Sequence, residues 1–240
     1  MTGPLLSVRD LEVSYGTIPA VRGVSLDVGA ADRVAIVGRN GAGKTSTLRA
    51  IAGITPAKGG RIEYDGVDIT RQAPGKRLAR GLALVPEGRG LFGQLTVEEN
   101  LVMGAYHRDL RGPALAEEME RVTERFPRVR ERMSQLANSM SGGEQQMLAI
   151  ARGLMTAPSV LVVDEPSLGL SPVLVDEIYE LFAALSAEGT AVVVVEQYVA
   201  LALRFARHAY VLDKGAVALA GDASELSANP DLVDVYMAAV

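Results

Sequence analysis

The chain has 240 residues, 48% of them hydrophobic, and a formal net charge of −5. A chain of this size buries roughly three-quarters of its unfolded surface and makes one large domain, or a domain with an insertion. The acidic balance argues against a nucleic-acid partner, and the lack of cysteine excludes disulfides and thiolate metal sites and fits a reducing compartment. Met1-Thr2-Gly3-Pro4 carries no basic segment ahead of an apolar stretch, so no secretory leader is expected. The longest apolar runs, such as Ala191 to Val195, are far short of the ~20 residues of a membrane helix. A soluble protein is expected, one that docks if it acts at a membrane. His107 and His208 are isolated, without metal-ligand spacing.

In chain order, the runs from Leu5 to Val13, Val21 to Val28 and Arg33 to Val37 read as strands, punctuated by Gly16, Gly29 and Gly38. Residues 38 to 45 then read Gly-Arg-Asn-Gly-Ala-Gly-Lys-Thr, a complete G-x-x-x-x-G-K-[ST] phosphate loop between a strand and the helical spacing of Ser46 to Ala52. Such a turn aims backbone N–H groups and a helix N-terminus at one point, which makes an anion site. Gly38, Gly41 and Gly43 let the backbone curl, with Arg39, Asn40 and Ala42 between them. Lys44 would reach the β- and γ-phosphates of a nucleoside triphosphate, Thr45 would ligate Mg²⁺, and Ser46 would add a hydroxyl at the α-phosphate.

Arg61 to Tyr64 and Leu82 to Val85 follow as short strands, the second closed by Pro86. Thr96 is placed as the N-cap of a helix, with Glu99 completing a capping box. From about 95 to 157 the chain reads as helical and charged, an insertion between core strands; the Glu- and Arg-rich stretch from Glu117 to Arg132 reads as a solvated face. Within it, Ser141-Gly142-Gly143-Glu144-Gln145 opens a helix and offers a second anion site, although a plain N-cap with glycines explains it as well. One phosphate loop already saturates one nucleotide, so this site needs a second nucleotide or a second subunit. Val160 to Val163 is an apolar strand ending in Asp164 and Glu165. Asp164 would hold Mg²⁺, and Glu165 would polarise a water attacking the γ-phosphate. A helix from Pro172 to Ala187, a strand from Ala191 to Val195 and a hairpin around Lys214-Gly215 complete an α/β core with a mainly parallel sheet.

The phosphate loop, Ser-Gly-Gly-Glu-Gln and Val-Val-Asp-Glu-Pro, in this order and spacing, resemble the ATP-binding-cassette (ABC) ATPases along essentially the whole chain. The resemblance implies a P-loop NTPase core with N-terminal antiparallel strands and an inserted helical subdomain at 95–157 of a single 1–240 domain. It implies that Tyr15 stacks on adenine. It also implies a head-to-tail dimer in which Ser141, Gly142, Gly143 and Glu144 contact the γ-phosphate held by Lys44 of a second ATPase subunit. Leu84-Val85-Pro86-Glu87-Gly88-Arg89, Leu95 to Leu101, Ser141 to Arg152 and Val194-Val195-Glu196-Gln197 are similar to the LivF-type subunit of branched-chain amino-acid importers. That implies integral-membrane permease partners, a peripheral place at the cytoplasmic face of the membrane, and ATP with Mg²⁺ as cofactors. Importers for urea and short amides use similar ATPases.

Three positions depart from the general ABC pattern. Glu87 stands where most members have a glutamine that contacts Mg²⁺ and the attacking water, Gln197 where most have a switch histidine, and Ser171 where most have an aspartate. Gln197 cannot titrate near neutral pH. This sustains a second reading, a nucleotide-binding regulatory subunit of low intrinsic turnover. An ABC ATPase of DNA repair or translation would need coiled coils, zinc modules or tandem cassettes, which the chain lacks. A small-molecule kinase would have no use for Ser141-Gly142-Gly143.

Overall fold

The centre of the fold is a sheet whose strands are apolar on both faces. In a computed structural model, which describes residues 3–232, this sheet has the order β10-β9-β3-β8-β7-β6. Its strands are β3 (Arg33–Gly38), β6 (Leu82–Val85), β7 (Val160–Asp164), β8 (Ala191–Glu196), β9 (His208–Asp213) and β10 (Ala216–Asp222). Met1-Thr2 and residues 233–240 of the expected single domain lie outside the described residues. β3, β6, β7, β8 and β9 run parallel; β10 returns antiparallel to β9. Successive side chains point to opposite faces. Ala35, Val37, Leu161, Val163, Val192 and Val194 therefore enter one apolar cluster, and Val34, Ile36, Val160, Val162, Val193 and Val195 enter the other. Each fully buried Val or Ile is worth about 1.5–3 kcal/mol, and this double burial explains why these strands read as unbroken apolar runs.

The second sheet, β2-β1-β4-β5, is antiparallel and caps one face. It is formed by β1 (Leu6–Tyr15), β2 (Ile18–Val28), β4 (Gly59–Tyr64) and β5 (Val67–Asp68). Between the sheets lies α1 (Lys44–Ile51), whose Leu48, Ala50 and Ile51 join the second cluster. Its C-terminus is fixed by Arg77, 3% exposed, on α2 (Pro74–Ala79). The guanidinium donates to the carbonyls of Ala50 and Ile51, both at 2.7 Å, and a cation suits that end of the helix dipole.

Four helices lie between β6 and β7: α3 (Val97–Ala105), α4 (Gly112–Thr123), α5 (Pro127–Arg130) and α6 (Gly142–Leu154). Thr96 caps α3 through a complete capping box with Glu99. Val97, Leu101, Phe126, Leu148 and Ile150 share one apolar cluster with Val85 and Leu161 of the sheet. A Cβ on Gly153 would lie 2.9 Å from Val85 Cγ2, so α6 approaches the sheet closely. On the same side, α7 (Pro172–Ala187) spans the predicted segment, followed by α8 (Val199–Phe205) and α9 (Ala223–Ser227). Lys214 and Gly215 both have positive φ, 46° and 87°, as the tight turn between β9 and β10 requires. No helix of the described residues is long and apolar enough to cross a membrane.

Candidate functional site

The parallel register sets the site. Val37 pairs with Glu196, Asp164 with Val195, and Val85 with Val163, so four strands end at one level. The segments leaving these carboxyl ends carry the phosphate loop, Glu87, Asp164-Glu165 and Gln197. In open α/β sheets ligands bind in the crevice at this edge. A cavity of ≈ 510 Å³ opens there, lined by Arg39, Asn40, Gly41, Gly43, Lys44, Thr45, Ser46, Glu87, Glu165 and Gln197 from the predicted set. Ala20 and Leu168 also line it; nothing in their local sequence marks them. Gly38 and Ala42 are buried behind the loop.

The loop is tightly backed. A Cβ on Gly38 would sit 2.5 Å from the Leu212 carbonyl oxygen, and one on Gly43 would sit 2.6 Å from that of Ala20. Gly43, at φ 100°, is also the N-cap of α1 and provides no side-chain cap. The first N–H groups of α1 are therefore not covered by a cap, as an anion site needs.

Lys44 is 5% exposed and lies along the loop. Its Nζ donates to the Gly38 carbonyl at 2.8 Å and to that of Arg39 at 3.4 Å, and sits 3.2 Å from Glu165 Oε1. Glu165 holds a left-handed backbone, φ 51°, with its N–H donating to the Val195 carbonyl at 2.8 Å. Asp164 is 3% exposed, and its Oδ1 has no hydrogen-bond partner. Burial pushes its carboxyl pKa up to about 6; the Thr45 hydroxyl pulls it down, and Glu165 and Glu87 add to the rise. A hydroxyl beside an unpartnered carboxylate oxygen is a hard-donor set that suits Mg²⁺.

Tyr15 is 47% exposed at the end of β1, its hydroxyl 3.4 Å from Ser46 Oγ, a contact that lowers its pKa. The ring stands beside the start of α1, outside the residues lining the cavity.

Ser141 to Glu144 do not line this cavity. They start α6, where Ser141 Oγ accepts from the Glu144 N–H and Glu144 Oε2 accepts from the Ser141 N–H at 3.0 Å. These bonds, with Arg132 3.1 Å away, hold the Glu144 carboxyl below the usual range. Gly143 and Gly142 also serve packing. A Cβ would lie 2.4 Å from Leu174 Cδ1 at Gly143 and 3.1 Å from Arg89 at Gly142. Ser171 caps α7 by accepting from the Leu174 N–H.

In the sequence Glu196 stands out only as part of the Val194-Val195-Glu196-Gln197 resemblance, with no role of its own. It is fully buried at the end of β8, where its Oε1 accepts from the Ser167 N–H at 3.1 Å and from the Tyr179 hydroxyl at 3.0 Å. The available signal was an acid continuing an all-apolar strand beside Gln197.

The sequence profile of the ABC transporter family matches residues 21–168. The chain is 41% identical over 233 residues to a high-affinity branched-chain amino-acid transport ATP-binding protein, BraG, of Pseudomonas aeruginosa, covering 97% of this chain and 99% of that one. It is 34% identical to a probable branched-chain amino-acid transport ATP-binding protein, LivF, of Archaeoglobus fulgidus, over 92% and 94% of the two chains. A solved ATP-binding cassette of an ABC transporter in its ADP conformation superposes with a TM-score of 0.87 at 25% identity, over 98% and 99% of the chains. The chain therefore belongs to the ABC transporter family, as one of its ATP-hydrolysing subunits.

Proposed function

We propose that this subunit powers an importer of branched-chain amino acids from the cytoplasmic face of the membrane, as a peripheral partner of two permeases and a second ATPase. The observation that carries the catalytic part is the Lys44–Glu165 contact of 3.2 Å inside the cavity. A phosphate-binding cation and a candidate base are in direct contact at the wall of the cavity. In this reading Lys44 leaves Glu165 for the β- and γ-phosphates, and the α1 N-terminus takes the remaining phosphate charge. Glu165, freed from Lys44, accepts the proton of the attacking water. Thr45 and Asp164, with Glu87 at the edge, would hold Mg²⁺; when bound it would neutralise charge on the β/γ oxygens. Tyr15 stacks on adenine beside Ser46.

Ser141 to Glu144 act on the nucleotide of the second ATPase subunit. Supporting this, Ser141 and Gly142 are exposed and lie outside the cavity of their own chain. The helical subdomain spans 95–157 and carries the permease contact. The branched-chain assignment rests on the relatives, whose names state that substrate. The test is uptake of isotopically labelled leucine into ATP-loaded vesicles holding the permeases, with the parent chain and with Lys44→Ala. Uptake lost with Lys44→Ala supports the reading; equal uptake, or uptake of urea and not leucine, contradicts it.

A second reading is a subunit of low intrinsic turnover. It is favoured by Gln197, which lines the cavity and brings no imidazole to it.

A further inference from the structure

We propose that Glu196 is a positioning residue for ATP hydrolysis, pinning the loop that carries Glu165. This rests on the reading of Glu165 as the base.

Glu165 sits at φ 51°, a left-handed conformation that is strained for a non-glycine residue and persists only where its surroundings impose it. Two successive positions of β8 hold this loop, one at Glu165 and one at Ser167. The Val195 carbonyl accepts the Glu165 N–H at 2.8 Å, and the Glu196 carboxyl accepts the Ser167 N–H at 3.1 Å. The loop then closes on itself, with the Leu168 N–H donating to the Glu165 carbonyl and the Leu170 N–H to that of Ser167. Leu168 lines the cavity beside Glu165, and Gln197, the next residue after Glu196, lines it as well. One buried side chain therefore ties the loop after the acid pair to the strand end that presents Gln197.

The carboxyl is costly where it stands. Glu196 is 0% exposed, and burial raises its pKa. Tyr179, which donates to it, packs edge-on to Phe182 and Phe205. Its second oxygen has no partner among the described residues. The five residues before it in β8, Ala191 to Val195, are all apolar and buried. A valine would extend that run without burying a carboxyl, so the apolar pattern of the strand does not itself call for an acid. What the acid supplies is an acceptor shared by the Ser167 N–H of the loop and the buried Tyr179 hydroxyl.

Two substitutions separate positioning from mere packing. Glu196→Gln keeps an acceptor oxygen for Ser167 and Tyr179. Glu196→Val removes the acceptor but suits a buried strand. For the Val variant, which leaves the Ser167 N–H and the buried Tyr179 hydroxyl without an acceptor, we expect a lower thermal midpoint in a protein still folded at the assay temperature, unchanged ATP affinity by calorimetry, and an unchanged KM with kcat down by about tenfold or more. The Gln variant should stay within about threefold of the parent. In a Glu165→Gln background, Glu196→Val should cause no further loss in single-turnover hydrolysis. Full activity of Glu196→Val, or a further loss in that background, overturns the inference. If Glu165→Gln alone hydrolyses ATP at the parent rate, the base assignment fails and the inference falls with it. If Glu165→Gln is inactive and Glu196→Val active, only the inference fails.

Discussion

Replacing Lys44 by alanine tests how the phosphate site is held before ATP arrives. A hydrogen bond to a charged group is worth about 1.5–3 kcal/mol net. In this structure Lys44 is already engaged, with the Gly38 carbonyl at 2.8 Å and Glu165 at 3.2 Å. Binding ATP exchanges these contacts for phosphate oxygens, so the gain lies at the low end of that range. Lys44→Ala should weaken ATP binding by about tenfold, and by no more than about a hundredfold. The same competition gives a second, opposite effect. Glu165→Gln removes the charge that holds Lys44 and the repulsion a carboxylate offers the γ-phosphate, so ATP should bind a few-fold tighter. Isothermal calorimetry with Mg-ATP reads both, with thermal denaturation as the check that each variant is folded. An unchanged dissociation constant for Lys44→Ala would refute its role. A Glu165→Gln variant that binds no tighter would refute the competition.

Other outcomes follow from the same geometry. Gln197→His should raise the ATPase rate of the purified chain if a missing imidazole limits turnover; a rate unchanged or lower removes the main support for the low-turnover reading. Phe92 is 48% exposed, stacked under the Arg152 guanidinium, while its backbone is held at both N–H and carbonyl by Asn100. Phe92→Ala should leave folding and ATP binding intact but weaken co-purification with the permeases and uncouple hydrolysis from uptake; normal assembly and transport would contradict this. Asp164, with its folded pKa near 6, binds its proton more tightly in the native state than in the unfolded chain. Its contribution to stability is therefore greatest below about pH 4 and falls as pH rises through about 6. Without nucleotide, Asp164→Asn should melt higher than the parent at pH 7 and lose that advantage in acid; an equal midpoint at pH 7 refutes the burial argument. Thr96→Ala breaks the capping box of α3 and should cost about 1 kcal/mol, read by urea denaturation.

Most residues of the cavity were legible because their chemistry is local, whereas Ala20 and Leu168 reach it only through the fold. A phosphate loop is contiguous, and Asp164-Glu165 ends a strand whose apolar run names its place in a parallel sheet. The capping box at Thr96 and the helix from Pro172 read directly, since caps and proline act within one turn. The missed elements are short. α2, α8 and α9 have six, seven and five residues and no side-chain cap, too little for a period of 3.6 to declare itself. β5, with two residues, is held by pairing to β4 alone. Glu196 was hidden for a different reason. Its partners Ser167 and Tyr179 are distant in sequence, and only the fold joins them. The resemblance places Ser141 to Glu144 at a phosphate, yet in the chain itself their helix N-terminus is occupied by the Glu144 carboxylate.

The central claim, that this chain hydrolyses ATP through Glu165, is tested most directly by phosphate release from the purified protein at saturating Mg-ATP. The parent should turn over, and Glu165→Gln should bind ATP while its rate falls by ~10²–10⁴. Equal rates for the two proteins would contradict the account.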